Sequence, residues 1–358
     1  MRCKYCFYHD VAENREIESY GIMSDETMKI LIDRAFEFAG DGGAVSFAFQ
    51  GGEPTVCGVE FFQKFVAYVK QKNTGRTRIS YGLQTNGLNI NEDYCRLFHE
   101  NNFLVGLSMD GTKELHDLNR VDAKRNGTFS RVLKAAEMMT KYKVEFNILC
   151  VVSEQNAKKA ETLYNFYKNH GFNYIQYIPQ IAPFSGENEY STLSPEAYGK
   201  FLSTTFDLWY RDFERGKYVS IRDFDNYGGI LMGRRPEICS LQGVCSCNPT
   251  VEANGNVYPC DFYVLDEYLL GNLKDMPLSD MLQSETAKKF IRESFVRRDE
   301  CESCEWKQIC RTGCRRNKEP LEKTGGEQYF CKAYKVFFEN CFERMKKIPM
   351  ILNTKYNK

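Results

Sequence analysis

The chain has 358 residues, 42% hydrophobic and 27% charged, a globular composition long enough for two domains. Lys plus Arg equals Asp plus Glu at 48 each, so net charge gives no case for nucleic acid or an anionic membrane as partner. No run of eighteen apolar residues could span a membrane and no secretory signal is visible. Fifteen cysteines, an odd number in a large chain, fit reduced thiols in a cytoplasmic protein better than a disulfide framework.

The chain opens on Cys3-x2-Cys6, with Tyr5 between the thiols and Phe7 and Tyr8 after them. From about residue 24 to 181 two patterns alternate. Val45–Phe49, Ile79–Leu83, Leu104–Ser108, Phe146–Val152 and Tyr174–Ile178 are short apolar or aromatic runs and predict buried strands. Helices are predicted between them. Met28, Leu31, Ile32, Ala35 and Phe36 follow helical spacing, with Ser24 as N-cap and Asp25 and Glu26 in the first turn. Phe62, Phe65, Val66 and Val69 mark a second helix; Val132, Ala135, Ala136 and Met139 a third; Leu163, Phe166 and Tyr167 a fourth.

Strand–helix alternation implies parallel strands with helices packed outside, hence an α/β sheet or barrel. Three strand ends carry polar and glycine-rich segments: Gln50-Gly51-Gly52-Glu53, Gln84-Thr85-Asn86-Gly87 and Ser108-Met109-Asp110-Gly111. Any one could be a tight turn and nothing more. Three at corresponding places point to a site beyond the carboxyl ends of the strands. After Tyr190 the alternation fades. Tyr198–Phe213 reads as one helix and Glu214–Asn226 as a polar connector. A boundary is placed near residue 218, give or take several residues, dividing 1–218 from a cysteine-rich 219–358.

Cys239, Cys245, Cys260, Cys301, Cys304, Cys310, Cys314 and Cys331 crowd the last third. Cys301-x2-Cys304 followed by Cys310-x3-Cys314 has metal-ligand spacing. Eight thiolates make two four-thiolate sites, which suit either zinc or [4Fe–4S] clusters, and spacing does not say which thiolates share a site. Cys57, Cys95, Cys150 and Cys341 lie in or beside apolar segments and read as structural. Cys247 is left out because eight ligands already fill two sites.

Cys3-x2-Cys6 resembles the end of the CxxxCxxC motif of radical S-adenosylmethionine enzymes. Gly51-Gly52-Glu53-Pro54 matches their GGEP segment, and the cysteines from Cys239 to Cys331 resemble the SPASM extension with two auxiliary [4Fe–4S] clusters. Within that group the chain resembles the anaerobic sulfatase-maturating enzymes over essentially its whole length. The matching blocks are Phe47–Thr55, Phe103–Gly111 and Val257–Tyr263. The implied fold is a partial (β/α)6 TIM-like barrel with a C-terminal SPASM extension. One departure stands out: the first cysteine of CxxxCxxC would lie four residues before Cys3, upstream of Met1. The expectation is a chain truncated at its N-terminus, whose first cluster is incomplete and which is inactive as it stands; the alternative is a naturally inactive relative.

The resemblance implies three [4Fe–4S] clusters and S-adenosylmethionine, cleaved to a 5′-deoxyadenosyl radical. Cys3 and Cys6 would hold the first cluster. Cys239, Cys245, Cys260 and Cys314 would hold one auxiliary cluster, and Cys301, Cys304, Cys310 and Cys331 the outer one. Gly52 would meet the methionine moiety through its backbone and Arg120 would grip its carboxylate, while Tyr5, Gln50, Ser108 and Ile181 line the nucleotide pocket. The implied reaction oxidises a cysteine or serine of an unfolded or nascent sulfatase peptide, in a Cys/Ser-x-Pro-x-Arg context, to Cα-formylglycine. Asp261, beside ligand Cys260, would take the substrate's proton as an auxiliary cluster takes an electron. Flavodoxin or ferredoxin would serve as electron donor. Two alternatives are another SPASM enzyme that crosslinks peptides through a thioether or carbon–carbon bond, and an inactive, zinc-stabilised binding module.

Overall fold

The computed structural model describes residues 1–184 and 192–351. Six parallel strands form one sheet in simple sequential order: β1 (Ala44–Phe49), β2 (Arg78–Thr85), β3 (Phe103–Ser108), β4 (Glu145–Val152), β5 (Tyr174–Pro179) and β6 (Ser220–Ile221). Each parallel step needs a crossover, and helices supply it. The helices are α1 (Asp25–Ala39), ahead of β1, then α2 (Val59–Lys72), α3 (Glu92–Glu100), α4 (Phe129–Lys141), α5 (Ala160–Asn169) and α6 (Pro195–Glu214). This is the predicted partial barrel, open between β1 and β6.

The first five strands cover the runs predicted for them. Ser24 caps α1, its hydroxyl accepting the Thr27 N–H at 3.1 Å. The segment Glu214–Asn226 is not the polar connector expected. It holds β6 and the start of a helix, Arg222–Leu231. Two residues are too short a strand to show periodicity, and the helix begins on a polar turn before Phe224 and Tyr227 supply its buried face. β6 falls within the several-residue margin of the boundary placed near 218.

Three further pieces position the site. Arg2–Cys3 pairs antiparallel with Arg120–Val121, which sets Cys3 opposite Arg120. The short helix Phe7–Glu13 packs Phe7 and Val11 against Tyr258, Tyr263, Phe262 and Phe290 of the cysteine-rich part. Finally α7 (Cys331–Met345) lies along α6, and its Ala333, Phe337, Phe338, Cys341 and Met345 belong to the same core as the barrel strands. Gly199 of α6 permits the close approach: a Cβ there would sit 3.1 Å from the Ala333 Cα.

Candidate active site and metal centres

Parallel strands aim their carboxyl ends at one mouth, and the site residues expected from sequence gather there. Gln50 and Gly52 follow β1, Ser108 ends β3, and Ile181 comes two residues after β5. The Gly51-Gly52 turn runs through left-handed backbone, φ +84° and +53°. Glu53 then ties the turn to the end of β2. Its carboxylate accepts the Thr85 hydroxyl at 2.7 Å, the Asn86 N–H at 2.7 Å and the Thr55 N–H at 3.1 Å.

Beside this turn lies a buried ion pair. Asp110 is 0% exposed and Arg120 5%. Asp110 Oδ2 takes the Tyr5 hydroxyl and lies 3.0 Å from Arg120 Nε, and Oδ1 accepts the Val151 N–H at 3.0 Å. Arg120 Nη1 reaches the Cys3 sulfur at 3.7 Å, and the guanidinium lies 5.4 Å from the centre of the Tyr5 ring. Although Nε is close to Asp110, its direction is wrong for a hydrogen bond, so a buried N–H remains unspent. A ligand carboxylate suits that donor.

His116 braces the pair from behind. The Asp110 N–H donates to His116 Nδ1 at 3.2 Å, so the ring proton sits on Nε2, which donates to Thr128 Oγ1 at 3.0 Å. The Thr128 hydroxyl in turn donates to the Arg120 carbonyl at 2.9 Å. Burial pushes the imidazole down to about 4, which keeps the ring neutral and this chain intact.

Across the mouth stands Asp261. Its Oδ2 accepts the Gln50 amide N–H at 3.1 Å and its Oδ1 the Cys260 S–H at 3.4 Å. Burial raises the Asp261 carboxyl above its usual range, against the pull of those bonds. Burial also raises the Tyr8 phenol strongly, and the charged groups around it are Asp261, Cys6 and Cys260. Phe7 packs against Phe262 with ring centres 4.5 Å apart and the planes tilted by 53°. The N-terminal cysteine turn and the Cys260-Asp261-Phe262 turn therefore meet directly, although Phe7 and Phe262 are 255 residues apart in sequence.

The remaining cysteines fall into two neighbourhoods. Burial lifts the Cys310 thiol to about 11, and the thiols acting on it are Cys331, Cys304 and Cys301. Cys314 is lifted to about 12, with Cys239 and Cys245 as its thiol neighbours, and Cys260 in turn feels Cys314. Four thiols in each neighbourhood suit either a zinc ion or a [4Fe–4S] cluster. Cations follow Cys314 directly: Arg315, Arg316 and Lys318 are 2%, 4% and 1% exposed. Arg315 pairs with Glu293 at 2.7 Å and lies over the Tyr263, Tyr268 and Phe290 rings. Arg316 binds the Ala182 carbonyl at 2.6 Å and Asp10 at 3.3 Å, linking the segment after β5 to Phe7–Glu13.

Of the four cysteines read as structural, Cys95, Cys150 and Cys341 are fully buried, and Cys57 donates its S–H to the Pro54 carbonyl at 2.9 Å. Cys247 lies near Cys245 and packs in the apolar clusters around Val257 and Tyr258. Asp110, His116, Tyr8 and the buried cations were given no site role from the sequence. Asp110 alone left a signal, a carboxylate directly after an apolar strand.

Residues 1–167 match the family model of the radical SAM superfamily, and residues 243–305 that of an iron–sulfur cluster-binding domain, SPASM. A cysteine-type anaerobic sulfatase-maturating enzyme of Clostridium novyi is 43% identical over 356 residues, covering 98% of this chain and 94% of that protein. A serine-type counterpart from Bacteroides thetaiotaomicron is 31% identical, covering 95% of this chain and 86% of that one. A solved structure of anSMEcpe with bound AdoMet superposes with a TM-score of 0.92 at 44% identity, covering 98% of this chain and 95% of that one. The same enzyme with AdoMet and the Kp18Cys peptide gives 0.91 at 43%, covering 98% and 95%.

Proposed function

Because this chain belongs to the anaerobic sulfatase-maturating enzymes of the radical SAM superfamily, we propose that it oxidises a cysteine in a sulfatase peptide to Cα-formylglycine by radical chemistry started from S-adenosylmethionine. Cysteine is favoured over serine as the target because the cysteine-type relatives share more identity with it, 43% against 31%. The peptide carries a Cys-x-Pro-x-Arg context in this reading, and a flavodoxin or ferredoxin supplies the electron. Among the described residues no helix is long and apolar enough to cross a membrane. All fifteen cysteines are free, which suits a reducing, cytoplasmic setting.

When bound, the clusters and S-adenosylmethionine supply the one-electron steps, an oxidising radical at the start and an electron sink at the end. The chain's own residues hold and orient. Cys3 and Cys6 hold the first cluster. Cys239, Cys245, Cys260 and Cys314 hold the auxiliary cluster nearer the substrate, and Cys301, Cys304, Cys310 and Cys331 the outer one. The division into 1–218 and 219–358 follows these roles. Arg120 binds the methionine carboxylate, steered by Asp110 and seated by the His116–Thr128 chain. Gly52 offers backbone to the methionine moiety, and Tyr5, Gln50, Ser108 and Ile181 border the nucleotide. Asp261 is the base.

The observation that carries this reading is the position of Asp261. Its Oδ2 accepts from Gln50 at the mouth of the barrel, and its Oδ1 accepts the Cys260 S–H. Were Cys260 a thiolate on iron, that donor would be gone and Oδ1 could accept the substrate's proton beside the electron acceptor. A general base contributes about 10²–10⁴ in rate. In a chain extended at its front to carry the third motif cysteine, Asp261→Asn should therefore keep all clusters and S-adenosylmethionine cleavage while losing most formylglycine, read by mass spectrometry of the peptide. Full product yield would remove Asp261 from the mechanism.

A further inference from the structure

Lys318 is 1% exposed, four residues past Cys314. An ammonium has three N–H groups, and here each has an oxygen acceptor at 3.2 Å: the Ser294 carbonyl, the Val296 carbonyl and Thr312 Oγ1. Each of these acceptors adjoins or is bonded to a segment that carries cysteines. Ser294 also takes the Cys245 N–H on its hydroxyl at 3.0 Å. Val296 leads into the turn closed by the Cys301 N–H on the Arg298 carbonyl at 3.0 Å. Thr312 lies between Cys310 of the outer set and Cys314 of the inner one. That link is unusual backbone: Arg311, Thr312 and Gly313 are all left-handed, φ +50°, +68° and +69°. Non-glycine residues hold such a conformation only when their surroundings impose it. The thiols acting on Lys318 come from both sets, Cys245 and Cys314 from one and Cys301 from the other.

We propose that Lys318 is a positioning residue shared by the two auxiliary sites: it clamps the Cys310–Cys314 turn between them and gives both the same buried positive charge. This rests on the assignment of the eight cysteines to two iron–sulfur clusters. A buried cation favours the more negative, reduced state of a nearby cluster, so its loss makes both clusters harder to reduce.

The test uses the full chain, reconstituted anaerobically as wild type, Lys318→Gln, Lys318→Met and Lys318→Arg. Iron and sulfide are counted, and each auxiliary cluster is titrated potentiometrically with EPR detection. Lys318→Gln keeps N–H donors and deletes the charge; Lys318→Met deletes both. Both neutral variants should shift both midpoint potentials in the negative direction, and Lys318→Arg should bring both back towards wild type. A tether without an electrostatic role would leave the Lys318→Gln potentials where they were, and that result, or a shift confined to one cluster, overturns the proposal. Should neither neutral variant load, joint loss of both auxiliary clusters with retention in Lys318→Arg supports it, and loss of one cluster alone overturns it. A wild type that takes up no iron and sulfide defeats the cluster assignment itself, a separate failure.

Discussion

Replacing Asp110 by Asn tests the buried pair at the barrel mouth. The amide is nearly isosteric, and its carbonyl oxygen can keep the Val151 N–H now held at 3.0 Å. The other end then turns an NH2 group towards the Tyr5 hydroxyl, whose proton Oδ2 had accepted, and towards Arg120 Nε, which Oδ2 had faced at 3.0 Å as a counter-charge. Donors face a donor, and a guanidinium that is 5% exposed loses its counter-charge. Breaking one side of a buried pair costs about 3–5 kcal/mol, or roughly two to nearly four decades in the unfolding equilibrium. Urea unfolding of the anaerobically prepared protein, followed by circular dichroism, reads that loss. A double variant, Asp110→Asn with Arg120→Met, removes the orphaned cation and should recover most of the stability. It should still fail to bind S-adenosylmethionine, which separates fold from ligand. A single variant within about 1 kcal/mol of wild type, or a double variant no better than the single, refutes the reasoning.

His116 makes stability depend on pH in a definite direction. Its folded value is pushed down to about 4 by burial, while the unfolded imidazole titrates near 6.5, so the unfolded chain binds the extra proton between these limits. The contribution is fully present above about pH 6.5 and is lost as pH falls towards 4, by ~3 kcal/mol. Unfolding midpoints of wild type and His116→Gln across that window should show the steeper acid loss only in wild type. Gly111→Ala should cost more than Gly51→Ala. Both positions are left-handed, but a Cβ at Gly111 would stand 2.1 Å from Leu163 Cδ2, whereas at Gly51 the nearest atom is Tyr8 Cε1 at 3.7 Å. Gly51→Ala should lose about 1–2 kcal/mol from backbone alone, and equal midpoints for the two variants would contradict this. Gly199→Ala gains helix propensity but meets backbone at 3.1 Å, which cannot rotate away, so a net loss of about 1 kcal/mol is expected. The same variant should reduce iron loading of the outer cysteine set, because Cys331 lies two residues from Ala333.

The sheet was readable because buried parallel strands are continuous apolar runs, and Val45–Phe49 or Phe146–Val152 carry that pattern in their own residues. The helices read as well where one face is apolar, as in Met28–Phe36. Long-range placement left no local trace. Nothing near Gln50 announces a bond to Asp261, and a two-residue ribbon setting Cys3 against Arg120 is too short for any periodicity. β6 escaped for the same reason. Hydropathy also misleads for Arg315, Arg316 and Lys318, which read as surface residues. They are buried because acidic partners, carbonyl oxygens and aromatic rings satisfy them. The proposed two-by-four division of the cysteines would depend on the fold of the whole tail, since Cys314 and Cys331 exchange their order between the sets.

Cys331 begins a helix whose far end is sunk among barrel side chains. If Cys331 is the fourth ligand of the outer set, as proposed, its sulfur stands on a helix anchored in the barrel's own core. Loosening that helix would then disturb the outermost site and the barrel together.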